Sequence, residues 1–371
     1  FFCIVSGGFL GTPAGFKIRP RFKNFRVDPS QPTEGTSQRM LTFIIRRVIM
    51  LIPILFLISV ISFATILLPP GSYVERYVRN LENSGLIMGD EQVEALYRQY
   101  GLDRPVWEQY ARWMSNFLLK GEMGRSFLYE RPVTEIIMER LPMSVFITLI
   151  SLLITWILAV PMGIYSALRQ YSIGDYTATI IGFIGLALPN FLLALALAYW
   201  VFAGTGRAIT GLFSVEFKDA AWSFARVMDL LSNIWLPILV IATAGTAGLI
   251  RVLRATLLDE KNKQYVITAR AKGLPERRLI MKYPVRVAIN PLISTIGWTL
   301  PALVSGEIIV AQTLGLETLG PVLLEGALGE DMFLVSSIVM ILSTLTVIGT
   351  LLSDILLAWV DPRIRFEKSA R

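Results

Sequence analysis

Residues 261–291, KNKQYVITARAKGLPERRLIMKYPVRVAINP, form a polar, strongly basic island between two hydrophobic stretches. The pattern predicts two short helices joined by a tight turn. Asp259 and Glu260 are expected at the start of the first helix, with Arg270 and Lys272 at its end, so that charge complements the helix dipole at both termini. Gly273 fits a left-handed C-cap position, where a missing Cβ removes the steric cost. Pro275 suits the first turn of the next helix because its missing N–H needs no partner there, and Glu276 follows at the positive end. The predicted product is a helix–turn–helix projection on a membrane surface.

A membrane is required by what surrounds the island. The chain is 54% hydrophobic with a mean hydropathy of +0.57, too apolar for an ordinary soluble domain. Six charge-free stretches are long enough to cross a bilayer as helices: 48–68, 141–168, 176–206, 230–250, 287–306 and 332–353. The chain has no His, and its one Cys is Cys3, which argues against haem, zinc, iron–sulfur and disulfide chemistry. No cofactor and no metal site are expected.

Charge placement predicts the orientation. Residues 251–286 hold ten Lys/Arg against three Asp/Glu, whereas the loop after the fifth stretch carries Glu317, Glu325, Glu330 and Asp331 and no base. The positive-inside rule puts the island in the cytoplasm and the acidic loop outside. The segment through Arg47 has eight bases to two acids and the tail from Asp361 four to two, so both termini are expected inside. The net charge of +7 is thus spread over separate cytoplasmic segments and reflects topology, not nucleic-acid binding.

The run 265–278, with Tyr265, Ala269, Ala271, Lys272, Gly273, Leu274, Pro275 and Arg277, resembles the cytoplasmic "EAA" loop of ABC-importer permeases, closest to the oligopeptide/dipeptide/nickel family. A second match is independent of it. Tyr100-Gly101-Leu102-Asp103-Arg104-Pro105, then Gln109-Tyr110, Trp113 and 121–126, is similar to the external region between the first two spans of peptide permeases. The resemblance covers about residues 40–366. It implies an all-α integral membrane protein with six transmembrane helices, the type I ABC-importer permease fold, and an external helical insertion after the first span. It divides the chain into a first helix (40–70), a periplasmic region (71–140), a five-helix core (141–361) with a coupling loop (259–291), and a cytoplasmic tail (362–371).

The resemblance also implies partners: a homologous second permease, two cytosolic ATPases that grip the loop, and a periplasmic or lipid-anchored binding protein that delivers substrate. The chain has no G-x-x-x-x-G-K-[ST] phosphate loop, so it is not expected to be an enzyme and energy must arrive from a partner. Peptides are the implied cargo, with nickel complexes, glutathione and oligosaccharides open as alternatives. The implied location is the bacterial inner membrane, multi-pass, in contact with lipid.

Three departures stand out. Pro284 sits where the second loop helix normally continues and should end or kink it near Lys282, leaving about two turns. Asn290 replaces an apolar residue before Pro291. Leu316-Glu317-Thr318-Leu319-Gly320 replaces Pro-Gly-Leu-Gly and keeps only the final Leu-Gly. Residues 1–39 read as a disordered extension or a misassigned start ahead of Met40. Trp107, Tyr110 and Trp113 read as anchors at the membrane surface.

Only two acids interrupt the later spans, Glu307 and Asp354. An intramembrane carboxylate is a functional candidate by default. Glu307 is the candidate for the pathway or for pairing with the second permease. Asp354 shares that candidacy, but it lies only a turn or two from the predicted cytoplasmic boundary, where it could reach a basic partner. A secondary transporter driven by an ion gradient is the alternative reading, but inverted repeats and chains of intramembrane ionisable groups are missing. A membrane-embedded enzyme would have only these two acids, on offset spans.

Overall fold

A computed structural model describes residues 34–67, 89–100 and 104–360, with single positions between 74 and 85. Expectations that fall on 1–33, 68–73, 101–103 and 361–371 lie outside the described residues. Thirteen α-helices carry the described chain: α1 Glu34–Leu67, α2 Asp90–Tyr100, α3 Val106–Ser115, α4 Val133–Leu168, α5 Ile173–Ala187, α6 Asn190–Thr205, α7 Phe224–Lys261, α8 Gln264–Ala271, α9 Glu276–Lys282, α10 Pro284–Ala288, α11 Asn290–Leu314, α12 Leu319–Leu328 and α13 Met332–Val360. A π turn, Asn116–Lys120, follows α3. The extended pairing among the described residues is one bridge between Arg125 and Pro132.

On length and composition, Leu41–Leu67, Val133–Leu168, Phe224–Thr243 and Met332–Val360 can each cross a bilayer, and two bent helix pairs bring the number to six. The third stretch, expected as one span over 176–206, is instead two helices, α5 and α6, set at 107°. Pro189 is the cause. It has no N–H to donate, and it holds Leu188 in an extended conformation (φ −84°, ψ 126°), so the helix ends and restarts. The loop expected after the fifth span is also partly helical. The C-terminal part of α11 stops at Gly315 in the left-handed conformation (φ 66°) and the chain turns 88° into the apolar α12.

The bundle centres on α7, 38 residues long, against which α4, α5, α10 and α11 pack. Small residues let these helices approach closely. A Cβ at Gly163 of α4 would lie 3.0 Å from Leu253 of α7, and one at Gly185 of α5 would lie 2.6 Å from Thr243. Ala159 and Ala167 of α4, Leu249, Leu253 and Leu257 of α7, Val285 and Ala288 of α10 and Leu292 of α11 form one fully apolar cluster next to the 261–291 island. At the other end Val133, Ile136 and Ile137 of α4 pack on Leu319 and Val322 of α12 and on Leu334 and Ile338 of α13.

Helix α1 lies outside this bundle, packed chiefly on α13 and α3, and leaves Ile52, Phe56, Leu57 and Ile61 exposed as a lipid-facing helix does. The aromatic residues of α3 have more than one role. Tyr110 bonds Ser59 of α1 at 2.7 Å, and the rings of Tyr110 and Trp113 lie 5.5 and 5.7 Å from Phe63. These two rings therefore fasten α3 to the end of the first span, while Trp107 is 69% exposed.

Candidate functional site

The basic island folds as two short helices, α8 and α9, around Gly273 at φ 79°. No atom lies within 4 Å of where a Cβ on Gly273 would sit, so the backbone angle, not space, favours glycine here. Arg270 at the end of α8 reaches Glu276 in the first turn of α9 through two hydrogen bonds, Nε to Oε2 at 3.0 Å and Nη2 to Oε1 at 2.6 Å. Bidentate guanidinium–carboxylate geometry fixes orientation as well as distance. Beneath the turn, Val266, Ala269 and Leu279 are buried with Leu274 and Tyr283 packed on them, which gives the elbow a small core of its own.

One expectation is corrected. Asp259 and Glu260 do not open the first elbow helix; they lie in the last turn of α7, and Lys263 occupies the N-cap of α8. Helix α7 runs on because LLDEK continues a good helical sequence up to Asn262. Glu260 instead is 7% exposed and bonded by Lys263 Nζ and by the Tyr265 hydroxyl, the latter at 2.5 Å. Burial alone would raise its carboxyl, but the bonds from Lys263 and Tyr265 hold it below the ordinary glutamate value. Tyr265 is thus a strut between α7 and α8.

The other elbow residues divide by exposure. Ala269 is buried and Leu274 half-buried, whereas Ala271, Lys272, Gly273, Pro275 and Arg277 are exposed. Ile267 and Met281, 46% and 54% exposed, add an apolar component that charge-based reading passes over. Pro284 does what its chemistry requires. Helix α9 ends at Lys282 after seven residues, and α10 restarts at Pro284.

The root of the elbow is tied to the bundle in two places. Lys261 Nζ donates to the Ala167 carbonyl at the end of α4, at 3.3 Å. Arg254 of α7 holds Asp175 of α5 through bonds of 3.1 and 3.0 Å, and Asp175 also accepts from the Tyr171 backbone at 3.0 Å. Neither Asp175 nor Arg254 was a sequence candidate. The signal was present in Ser172-x-x-Asp175, a capping pattern whose Ser172 Oγ accepts from the Asp175 N–H.

The two intramembrane candidates lie apart. Glu307 in α11 is 1% exposed, with Thr318 and Ser144 as its polar neighbours, and its Oε1 has no hydrogen-bond partner among the described residues. Ser144 Oγ meanwhile accepts from the Leu319 N–H at 2.8 Å, placing Glu307 under the α11–α12 bend. Gly320 is forced at that bend, since a Cβ there would lie 2.8 Å from the Ile308 Cα. Asp354, toward the other end of α13, pairs with Arg47 of α1 at 2.7 Å. Its basic partner thus comes from the first span.

The acids beyond α11 are also engaged. Asp331 is 1% exposed and accepts from Ser126 Oγ, Phe127 N and Leu128 N at 2.5, 2.8 and 3.2 Å. Glu317 bridges Arg140 and Lys218 at 3.0 and 2.9 Å. Among the described residues no group of three or more His, Cys, Asp or Glu is placed to hold a metal.

Comparison with known proteins gives two family matches that together span most of the chain. "Binding-protein-dependent transport system inner membrane component" matches residues 159–366, and the corresponding N-terminal family matches residues 40–148. The chain is 35% identical over 333 residues to the oligopeptide transport system permease protein AppB of Bacillus subtilis, covering 88% of this chain and all of that one. It is 29% identical to the oligopeptide permease protein OppB of Haemophilus influenzae over 88% of this chain and all of that one, and 28% identical to the peptidoglycan transport system permease protein YejB of Agrobacterium fabrum over 88% and 98%. An all-α bundle with lipid-facing helices, a clasped two-helix elbow and these matches make one conclusion: the chain belongs to the family of inner membrane components of binding-protein-dependent transport systems, and is an ABC-importer permease subunit.

Proposed function

We propose that this subunit forms half of a translocation path for peptides, and that the Gly273 elbow receives the stroke of a cytosolic ATPase. The observation that carries this reading is the elbow's construction. Its tip, from Ala271 to Pro275, is open apart from half-buried Leu274, its two helices are clasped by Arg270 and Glu276, and its root is tied to α4 by Lys261. A surface that is exposed at its tip and fixed at its base passes a displacement on instead of absorbing it. The basic island supports a cytoplasmic elbow and cytoplasmic termini under the positive-inside rule.

In this reading, two ATPases, a homologous permease and a periplasmic or lipid-anchored binding protein complete the machine. Lys272, Gly273, Arg277, Ile267 and Met281 supply the gripped face. Closure of the ATPases on ATP moves the elbow, and α7 with the helices tied to it exchanges inward-open for outward-open arrangements. Peptide cargo is supported by the relatives AppB and OppB, both oligopeptide transport system permease proteins.

The experiment is cross-linking from cysteine at Lys272 in the assembled transporter, with ATP-driven peptide uptake read in parallel in Gly273→Asp. A cross-link to the ATPase, and an inserted Gly273→Asp variant with uncoupled ATP hydrolysis, is the expected result. A tip that never reaches a nucleotide-hydrolysing partner, or normal uptake by the variant, overturns the assignment.

A further inference from the structure

A cleft of about 370 Å³ opens at the end of the bundle opposite the elbow. Its floor and walls come from Phe63 and Ile66 at the end of α1, Arg112 and Trp113 of α3, Arg125 in the 121–132 segment, and Phe333 at the start of α13. Helix α4 separates it from the elbow: at 1.5 Å per residue its 36 residues span about 54 Å. The cleft is chemically mixed in a particular way. Two guanidinium groups share it with a single carboxylate, Glu122, and its other side is aromatic and aliphatic. Glu108, one turn before Arg112 on α3, pairs with Arg104 instead, and the Trp113 indole N–H, buried behind the wall of the cleft, has no hydrogen-bond partner among the described residues. The Arg125 guanidinium is positioned by a 2.8 Å bond to the Glu130 carbonyl. Gly124, at φ 93°, lets the backbone pass against the Phe333 ring, where a Cβ would come within 2.8 Å.

The surroundings decide the class of ligand. Beside α3, the π turn sets Leu118 and Leu119 out at 69% and 84% exposure, and the adjoining part of α1 leaves Ile61 and Leu67 at 55% and 44%. The apolar wall of the cleft therefore shares α1 with residues that face outward as a surface suited to hydrocarbon, at the level where α1 ends. Interfacial segments with apolar residues on one side and bases on the other lie at headgroup depth. We infer that the cleft is a binding site for an anionic glycerophospholipid, whose phosphate is held by Arg112 and Arg125 and whose acyl chains follow Phe63 and Ile66 onto α1. The inference rests on α1 and α13 being membrane spans and is independent of the cargo.

The test uses the assembled transporter in nanodiscs, with phosphatidylglycerol or phosphatidylcholine carrying brominated acyl chains. The signal is the part of tryptophan quenching that disappears in Trp113→Phe. Quenching is expected at about fivefold lower mole fraction of phosphatidylglycerol than of phosphatidylcholine, the factor set by one base near a charged surface. Arg112→Gln is expected to erase that preference, Arg112→Lys to keep it, and Arg125→Gln provides a second removal of charge should Arg112→Gln fail to assemble. Equal quenching by the two lipids overturns the proposal. Competition by millimolar glycerol phosphate in free solution also overturns it, because the site is then one for soluble anions. Absence of lipid quenching, with Arg112→Gln weakening only capture of the binding protein, assigns the cleft to protein docking instead.

Discussion

Arg270 and Glu276 are joined in parallel, each guanidinium nitrogen facing its own carboxylate oxygen across the Gly273 turn at 3.0 and 2.6 Å. The pair is the only side-chain link described between α8 and α9 on the exposed side of the elbow, the packing of Val266, Ala269 and Leu279 being on the other. Glu276→Gln keeps the shape and loses the charge-assisted geometry. Transport coupled to ATP hydrolysis is expected to fall severalfold with insertion unchanged. The exchanged pair Arg270→Glu with Glu276→Arg is expected to recover much of it, measured as peptides taken up per ATP hydrolysed.

The same pair predicts a pH response. Hydrogen bonds from Arg270 hold the Glu276 carboxyl below its ordinary value of 4.5. Because the folded value is the lower one, the stabilisation is fully present above 4.5 and is lost as pH falls through the lowered value. Amide exchange at Lys272 and Gly273, corrected for the intrinsic rate, is expected to show level protection from about pH 5 to 8 and a drop only in stronger acid. Loss of protection near neutral pH would assign the elbow's order to another group.

Asp354 and Arg47 tie α1 to α13 at 2.7 Å, with side chains 22% and 33% exposed. Asp354→Asn is expected to cost about 1 kcal/mol, the upper range for a partly exposed ion pair. Thermal unfolding of the purified subunit reads the loss. Proteolysis between α1 and α2 is expected to speed up selectively, and exchange of the two residues to restore the parent rate. If instead Asp354→Asn alters transport with no change in melting, the carboxylate acts beyond this pair.

Gly320 meets the Ile308 backbone, where a Cβ would stand 2.8 Å from Cα. Neither atom belongs to a flexible side-chain end, so Gly320→Ala must push α12 away from α11. A cost of about 1–3 kcal/mol is expected for such overpacking. The readout is a lowered melting temperature together with greater labelling of cysteine placed at Thr318, buried in the parent chain.

Much of this molecule was legible in its sequence because the two strongest signals are local. Apolar length identifies a helix that must satisfy its own backbone in lipid, and Gly273 with Pro275 punctuates the elbow without help from distant residues. Pro284 likewise acts within one turn. What escaped depends on geometry that composition does not encode. The apolar stretch 176–206 looks like a single span on hydropathy, and only the conformational demand of Pro189 on Leu188 splits it. Helix α12 reads as loop because acids flank an apolar segment too short to cross. Helix-dipole complementarity puts Glu260 at the start of α8, while its role follows from burial against Lys263 and Tyr265. The Asp175–Arg254 and Arg47–Asp354 pairs join residues far apart in the chain, which a single sequence does not connect.

Two ties at the elbow's root, Lys261 to the Ala167 carbonyl and Arg254 to Asp175, join α4, α5 and α7 where they leave the apolar core. A tug on the elbow would therefore load all three helices together. Under the proposed coupling role it would arrive as torque on the linked triplet, with the packed glycine contacts as the fulcrum. The work of a remote motor would then emerge as a change of tilt in the lipid, with the hydrogen-bonded interior of each helix left intact.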